Sequence, residues 1–244
     1  MKLLVDAGNT RLKWQLCGDR NVVHSGFVGL DADEPFSEIT RWSGDIERIA
    51  VSTVISEDKR RHLQSRLEAL CAAPIVFHWA ESRRGGLVNA YTDTEKMGAD
   101  RWHAMYGAWS AGPGGFAVID AGSAITVDYV SGSGKHLGGY ILPGKQMMLR
   151  SLRQDAARIG FDTRDARAGE PGASTTECVQ HGLVWLWESM VARIQADCAR
   201  FGLERTIVTG GDAEALNNAG LSATHEPWLV LVGLAAIDQE RELE

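Results

Sequence analysis

The chain has 244 residues and a formal net charge of −7, with 44% hydrophobic and 23% charged residues. This composition is typical of a globular protein, and the length is sufficient for one large domain or two domains of about 120 residues. The acidic balance argues against a nucleic-acid-binding surface, and no apolar run approaches the ~20 residues of a transmembrane helix.

The N-terminal residues and the cysteines indicate a cytoplasmic protein. Asp6 interrupts the first apolar run before that run could form the apolar region of a signal peptide. The four cysteines are scattered, without a Cys-x-x-Cys pair. Their spacing argues against a zinc site or a disulfide framework and fits a reducing compartment.

The first part of the chain predicts strands that alternate with helices. Apolar and alternating patterns predict strands over residues 2–8, 12–17, 21–28, 46–54 and 75–77. A short helix is expected over 34–42, and a longer one from an N-cap at Ser56 to about Ala72.

A polar segment then leads into a helix. Residues 81–96 contain the run Arg83-Arg84-Gly85-Gly86, and we expect a loop there that lies over a site. A helical pattern follows through Ala111 and ends at Gly112-Pro113-Gly114-Gly115, the clearest breaker in the chain. This breaker separates two predicted domains, residues 1–113 and 114–244.

The second part predicts a similar set of elements. Strands are expected over 116–121, 124–130, 206–209 and 229–232. A long helix is expected from a capping box formed by Ser174 and Glu177 to a C-cap at Gly202. Helices over 145–157 and 212–219 and a final helix from Gly233 onward complete the prediction.

Two acidic turns repeat along the chain. Asp6-Ala7-Gly8-Asn9 can be laid over Asp120-Ala121-Gly122-Ser123, and each stretch begins a strand-rich block. One Asp-x-Gly alone is a weak signal because many hairpins contain it. Two copies at matched positions predict an internal duplication, with the two acidic turns facing each other across a cleft. A carboxylate with free backbone N–H groups at a strand end suits a metal-bound phosphate.

Four segments together resemble the type III pantothenate kinases, which belong to the acetate kinase–sugar kinase–Hsp70–actin superfamily. The segments are residues 6–13, 97–101, 120–126 and 138–144, and the similarity extends over nearly the whole chain. The resemblance implies an α/β fold of two similar RNase H-like (actin-like ATPase) domains related by internal duplication. It also implies ATP-dependent phosphorylation of the primary hydroxyl of pantothenate to 4′-phosphopantothenate, the first step of coenzyme A biosynthesis.

By this resemblance, ATP binds at the first acidic turn and at Ser123. The implied cofactor-binding residues are Asp6, Ala7, Gly8, Asn9, Thr10, Arg11, Leu12, Lys13 and Ser123. Asp6 would hold Mg²⁺ directly or through water, the turn backbone would donate to phosphate oxygens, and Lys13 would add a positive charge. From the neighbouring sequence alone, Asp6 could instead be a hairpin residue whose carboxylate accepts hydrogen bonds from its own turn. Lys13 could likewise be a solvent-exposed strand residue without a ligand.

The resemblance assigns pantothenate to the Met97–Arg101 segment and its surroundings. The implied substrate-binding residues are Tyr91, Gly98, Ala99, Asp100, Arg101 and Thr175. Asp100 would be the general base, and Arg101 could pair with the substrate carboxylate through its guanidinium fork. Each residue also has a possible structural role without a ligand. Asp100 could stabilise the dipole at a helix start, Arg101 could form an ion pair within its helix, and Thr175 could share the N-cap of the long helix with Ser174.

The same resemblance implies a monovalent cation (K⁺ or NH₄⁺) at Asp120 and a homodimer that helps to close the pantothenate pocket. Glycines at 138–139 and 144 would allow close backbone approach, and Gly210-Gly211 would flank the adenine. The chain departs from the family at Ser123, where threonine is usual, and at Cys178, where a small alanine is usual. The hydroxyl at position 123 is retained.

Two other functions on the same fold stay open from the sequence. A non-catalytic regulator would not need the acids at positions 6, 100 and 120, all of which are present. Such a regulator would bind nucleic acid, which conflicts with the acidic balance. A phosphohydrolase would turn over ATP without any requirement for pantothenate.

Overall fold

The structure is a computed structural model that describes residues 1–19, 21–155, 160–162 and 170–244. Its contacts divide the chain into two compact units, one formed by residues 1–113 with 228–244 and the other by residues 114–227. Within the described ranges, no helix is both long and apolar enough to cross a membrane.

The first unit contains a five-stranded mixed sheet. Its strands are β1 (Lys2–Ala7), β2 (Arg11–Cys17), β3 (Val22–Gly29), β4 (Arg48–Thr53) and β5 (Ile75–His78). The order across the sheet is β3-β2-β1-β4-β5. Strand β1 runs antiparallel to β2 and parallel to β4, so that its carboxyl end, with Asp6, lies between two neighbours. A separate small hairpin follows, formed by β6 (Arg83–Arg84) and β7 (Leu87–Val88).

The second unit repeats this sheet. Its strands are β8 (Phe116–Ala121), β9 (Ala124–Val130), β10 (His136–Pro143), β11 (Arg205–Thr209) and β12 (Thr224–His225). The order is β10-β9-β8-β11-β12, and β8 again runs antiparallel to one neighbour and parallel to the other. Identical order and direction confirm the predicted α/β class and the internal duplication. Asp120 takes the place in β8 that Asp6 takes in β1.

Six α-helices accompany the sheets in the described parts of the chain. They are α1 (Glu57–Leu70), α2 (Ala99–Ser110), α3 (Lys145–Asp155), α4 (Thr175–Phe201), α5 (Ala213–Asn218) and α6 (Leu229–Leu243). The predicted caps of α4 are confirmed: Ser174 Oγ accepts from the Glu177 N–H at 3.3 Å, and Gly202 ends the helix at φ 63°. The expected short helix over 34–42 is a 3₁₀ helix, Ser37–Asp45.

Alternation along β1 decides which residues enter the core. Leu3, Val5 and Ala7 lie on one face of the first sheet, in a core that includes Leu63 and Leu67 of α1. On the other face Leu4 packs against Ala50 and against Leu231 and Leu234 of α6. Because side chains alternate along a strand, Asp6 lies on the same face as Leu4. In the second unit the corresponding core joins Ile119 and Val127 to Trp187 and Ile194 of α4.

The C-terminal segment differs from the sequence prediction. Residues 229–232, predicted as a strand, form the first turn of α6, which continues through Gly233. A short apolar run fits a buried strand or a buried helix equally well, so periodicity could not decide between them. Helix α6 packs against α2, and residues 228–244 belong to the first unit. The sequence had placed them in a domain spanning 114–244.

Candidate active site

The turn between β1 and β2 presents a carboxylate beside a lysine. Asp6 pairs in register with Lys13 of β2, and such directly opposite residues lie on the same face of the sheet. The Gly8 N–H donates to the Arg11 carbonyl at 3.0 Å and closes the turn. Asn9 and Thr10 are exposed at its tip. This arrangement brings a negative and a positive side chain next to exposed backbone, as a site for a metal-bound phosphate requires.

Three further residues assigned to this turn have other surroundings. Ala7 and Leu12 are 0% and 1% exposed and belong to the core, so only their backbone could approach a ligand. The Arg11 guanidinium is exposed and lies 5.9 Å from the centroid of the Phe27 ring. At this turn the side chains of Asp6 and Lys13 are therefore better placed to reach a ligand than those of Ala7, Arg11 and Leu12.

Asp100 lies in the first turn of α2. Its Oδ1 accepts a hydrogen bond from the Arg101 backbone N–H at 2.7 Å, and it lies at the positive end of the helix dipole. A Cβ at Gly98 would lie 2.5 Å from Asp100 Oδ1 and 3.5 Å from Val54 Cγ1. Glycine at position 98 therefore lets the carboxylate fold back over the helix start.

A buried guanidinium lies next to this carboxylate in the chain. Arg101 is 6% exposed, and its Nη1 donates to Tyr91 Oη at 2.9 Å. Tyr91 is itself held by its backbone N–H, which donates to Asn89 Oδ1 at 2.9 Å. The structure thus brings Tyr91, Gly98, Asp100 and Arg101 together at the start of α2. It adds Asn89 as the residue that positions Tyr91.

The loop that carries Tyr91 is anchored on the two packed helices. Arg84 pairs with Glu81 at 3.0 Å, and with Glu240 and Glu244 of α6 at 3.2 and 3.1 Å. Burial alone would lower the pKa of Arg84, but the hydrogen bonds that its guanidinium donates to these carboxylates raise the pKa above its usual range. Trp109 of α2 donates from its indole N–H to the Gly85 carbonyl at 2.7 Å. The N-terminal part of the 81–96 segment, around Arg84 and Gly85, is therefore held against α2 and α6.

A buried hydrogen bond links the sheet to α2 below the acidic turn. Ser52 of β4 pairs in register with Asp6, and its Oγ lies 2.7 Å from His103 Nδ1. Burial, together with the nearby His78 and Arg241, lowers the pKa of His103 to about 3. The ring is therefore neutral at neutral pH, and the bond joins the strand beside Asp6 to the helix that begins at Asp100.

A buried carboxylate continues this polar layer. Asp238 of α6 is 0% exposed, and its Oδ1 lies 2.8 Å from His78 Nε2 and 2.9 Å from Arg48 Nη2. Lys2 Nζ lies 2.5 Å from its other oxygen. Burial alone would raise the pKa of Asp238, but these three partners hold it well below its usual range. Sequence reasoning missed this group because its members are up to 236 positions apart.

The second acidic turn is packed between two glycines. A Cβ at Gly144 would lie 2.4 Å from the Gly122 carbonyl oxygen, and one at Gly210 would lie 2.3 Å from the Ala121 carbonyl oxygen. The Gly144 N–H also donates to the Ser123 carbonyl at 3.0 Å. The segments that begin α3 and follow β11 can therefore approach the turn closely, and the Ser123 side chain stays exposed.

Thr175 is the first residue of α4 in the second unit. With Cys178, Val179, Gly182 and Leu183 it lines a mostly apolar cavity of about 310 Å³, and Leu152 is a further lining residue. The Cys178 thiol donates to the Gly172 carbonyl at 3.2 Å. The cysteine that departs from the family pattern therefore lies in the same cavity as Thr175.

Comparisons with known proteins agree on one family. A family model described as "Type III pantothenate kinase" matches residues 2–197. The protein named type III pantothenate kinase from Marinobacter nauticus is 52% identical over 237 residues, which are 97% of this chain and 98% of that protein. The corresponding protein from Hahella chejuensis is 35% identical and covers 97% of this chain and 96% of its own length.

A solved structure from Campylobacter jejuni has the same fold. It is described as a proposed Baf family transcriptional activator and superposes with a TM-score of 0.61 at 22% identity. The alignment covers 99% of this chain and 100% of that one. At this identity the likeness is evidence for the fold alone.

Proposed function

The chain belongs to the type III pantothenate kinase family, and from this premise we propose how its residues divide the reaction between them. It is a kinase that uses ATP to phosphorylate the primary hydroxyl of pantothenate, which gives 4′-phosphopantothenate in the first step of coenzyme A biosynthesis. The observation that carries the residue assignment is the cluster at the start of α2, where Asp100 and Arg101 lie with Tyr91.

Asp100 is the proposed general base. The hydroxyl of pantothenate is a weak nucleophile until its proton has an acceptor, and a carboxylate within hydrogen-bond reach supplies one. As the new O–P bond forms, the proton moves to the carboxylate of Asp100 and the bond from the γ-phosphorus to the bridging oxygen of ADP breaks.

Arg101 and Tyr91 are the proposed partners of the pantothenate carboxylate. A guanidinium can hold a carboxylate through two parallel hydrogen bonds, and Arg101 is already ordered by its bond to Tyr91 Oη. Gly98 and Ala99 would contribute backbone contacts. Thr175 would add a hydroxyl from α4. Positioning of this kind supplies much of the rate in phosphoryl transfer, which demands little covalent chemistry from the protein.

The first acidic turn is the proposed site for the ATP phosphates. Asp6 would hold Mg²⁺ directly or through water, and the fit is good because this ion keeps several waters and needs only one or two carboxylates beside phosphate. When bound, the ion neutralises charge on the phosphate oxygens. The backbone of residues 8–10 would donate to those oxygens, and Lys13 adds a positive charge opposite Asp6.

The second acidic turn is the proposed site for a monovalent cation, K⁺ or NH₄⁺, held by Asp120. Ser123, exposed at the tip of the turn, would contact an ATP phosphate. The four free cysteines fit a reaction that takes place in the reducing cytoplasm.

A homodimer is proposed from the exposed apolar surface of the second unit. Tyr140, Leu142 and Leu186 are 49%, 38% and 42% exposed, and they line a groove of about 540 Å³ together with residues of β9 and α4. Trp185, beside Leu186 on α4, is 69% exposed. Aromatic and aliphatic surface of this kind is enriched at subunit interfaces. Light scattering should give twice the 26.6 kDa chain mass for the native protein and a smaller mass for Trp185→Ser.

A coupled ADP-release assay tests the reaction and the base. ADP release should require both ATP and pantothenate, and Asp100→Asn should lower kcat by at least 10²-fold, the contribution of a general base. Asp58→Asn is the matched control, because Asp58 holds the same position in the first turn of α1 and is 89% exposed. Full activity of Asp100→Asn would remove Asp100 from the mechanism, and ATP turnover without pantothenate would support a phosphohydrolase.

A further inference from the structure

Thr209 has a buried hydroxyl that no protein group satisfies among the described residues. It is the last residue of β11 and is 1% exposed. Its Oγ1 has no hydrogen-bond partner in the described parts of the chain. Burial of a hydroxyl without a partner is unfavourable, and native proteins rarely keep such a group without a reason.

This hydroxyl lies beside Asp120. Thr209 and Asp120 pair in register on the parallel strands β11 and β8, so their side chains project from the same face of the sheet. A Cβ at Gly210 would lie 2.6 Å from Asp120 Oδ1. The carboxylate therefore reaches toward the end of β11, where Thr209 lies, and the glycine leaves room for it.

The first unit also has a buried hydroxyl beside its acid, but there the hydroxyl has a hydrogen-bond partner. Ser52 of β4 pairs in register with Asp6 and is 0% exposed, as Thr209 is buried beside Asp120. The Ser52 hydroxyl, however, lies 2.7 Å from His103 Nδ1 and is satisfied by it. The duplication thus places a buried hydroxyl beside each acid. In the first unit His103 forms a hydrogen bond with this hydroxyl, whereas in the second unit the described residues provide no partner for it.

We propose that Thr209 Oγ1 is a ligand of the monovalent cation held by Asp120. This inference rests on the proposed function, which assigns the cation to that acid. A hydroxyl oxygen and a carboxylate oxygen are both hard donors suited to such an ion. One carboxylate with a neutral donor matches a single positive charge, whereas Ca²⁺ sites gather more anionic oxygens. The bound ion would also satisfy the buried hydroxyl.

Thermal unfolding of the full chain tests this assignment, with KCl compared to tetramethylammonium chloride at equal ionic strength. K⁺ should raise the Tm of the native protein and of Thr209→Ser, which keeps the hydroxyl. Thr209→Val should lose this K⁺-dependent rise, yet unfold without K⁺ at the same temperature as the native protein or higher, because the unsatisfied hydroxyl is gone. The K⁺ concentration that gives half-maximal ADP release should increase about tenfold or more in Thr209→Val.

Thr206→Val is the matched control. Thr206 lies three residues earlier on β11, pairs with Ala117 and therefore faces the opposite side of the sheet. It should keep the native response to K⁺. A native response in Thr209→Val would overturn the proposal, and loss of the response in Asp120→Asn alone would leave Asp120 as the ligand without Thr209. No K⁺ response in the native protein would overturn the cation site too, whereas pantothenate-dependent ADP release would still support the kinase assignment.

Discussion

Replacement of Gly233 by alanine tests the packing of α6 on α2. A Cβ at Gly233 would lie 1.8 Å from the His103 carbonyl oxygen and 2.8 Å from the Gly107 nitrogen. Both neighbours are backbone atoms of α2, so no side-chain rotation can relieve the overlap. Gly107 has the reciprocal contact, with its own Cβ position 2.7 Å from the Leu229 carbonyl oxygen. The two helices must therefore move apart to accept the methyl group.

The net effect follows from two opposing terms. Overpacking of a filled site costs about 1–3 kcal/mol, and a backbone clash belongs at the upper end of this range. Alanine in a helix interior recovers about 1 kcal/mol relative to glycine. Gly233→Ala should therefore lower the free energy of unfolding by about 2 kcal/mol, which corresponds to a Tm decrease of about 4–8 °C for a protein of this size.

Gly182→Ala is the matched control. Gly182 lies in the interior of α4, is exposed, and has no atom of the described residues within 4 Å of its Cβ position. At this position alanine brings the gain in helix propensity without an overpacking cost. The free energy of unfolding of Gly182→Ala should therefore exceed that of the native protein by up to about 1 kcal/mol. The same substitution should thus act with opposite sign at the two positions.

Urea and thermal unfolding give the free energy of unfolding and the Tm of both variants. ADP release gives the effect of each substitution on kcat. Because His103 lies one turn after Asp100 on α2, movement of this helix should also lower the kcat of Gly233→Ala. A Gly233→Ala protein as stable as the native one would refute the close packing of α2 on α6. Destabilisation of Gly182→Ala would instead refute the propensity argument.

Two further predictions concern the buried polar groups. His103 has a pKa of about 3 in the folded protein and 6.5 in the unfolded chain. Because the unfolded chain binds more protons between these pH values, the free energy of unfolding decreases as the pH falls through this range. The decrease should reach about 3 kcal/mol at pH 4.5. His103→Asn, whose amide can still reach Ser52, should flatten urea-derived stability between pH 4.5 and 6.5, and an unchanged slope would contradict the buried neutral ring. Asp238→Asn should lower the free energy of unfolding at pH 7 by about 3 kcal/mol, the lower end of the range for a broken buried pair, because Lys2 and Arg48 keep Glu242 as a partner. The low pKa of Asp238 means that its contribution is complete above about pH 4 and is lost only on further acidification, so the variant and the native protein should converge in strong acid.

Strand patterns allowed most of the scaffold to be predicted from the sequence. Alternation placed Lys13 on a strand that returns after the first turn, and the structure has this strand and pairs Lys13 in register with Asp6. The repeated Asp-x-Gly turns at Asp6 and Asp120 predicted a duplication, and the two sheets have the same strand order. These features are local or recur at a fixed offset, which is the kind of information that a sequence displays directly.

The contacts that support the site have no comparable local signal. His78 and Asp238 are 160 positions apart, and Ser52 and His103 are 51 apart. Each of these residues alone is an ordinary polar residue at the end of a strand or within a helix. The same limit explains the error at residues 229–232, because only the contact with α2 shows that Gly233 belongs inside a helix and not after a strand.

The duplication also explains why one half carries the proposed base. Helix α2 follows β5 in the first repeat, and α6 follows β12 at the equivalent place in the second. The first turn of α2 contains Asp100, whereas the first turn of α6 contains no acid and begins with the apolar run Leu229–Val232. An apolar start allows α6 to be buried against the first sheet, where Leu231 and Leu234 pack on Leu4 of β1. The same helix lies close to α2, where the backbone of Gly107 approaches Leu229. The two repeats therefore keep equivalent acids at Asp6 and Asp120, while their last helices have diverged: α2 carries the proposed base, and α6 holds α2 in place.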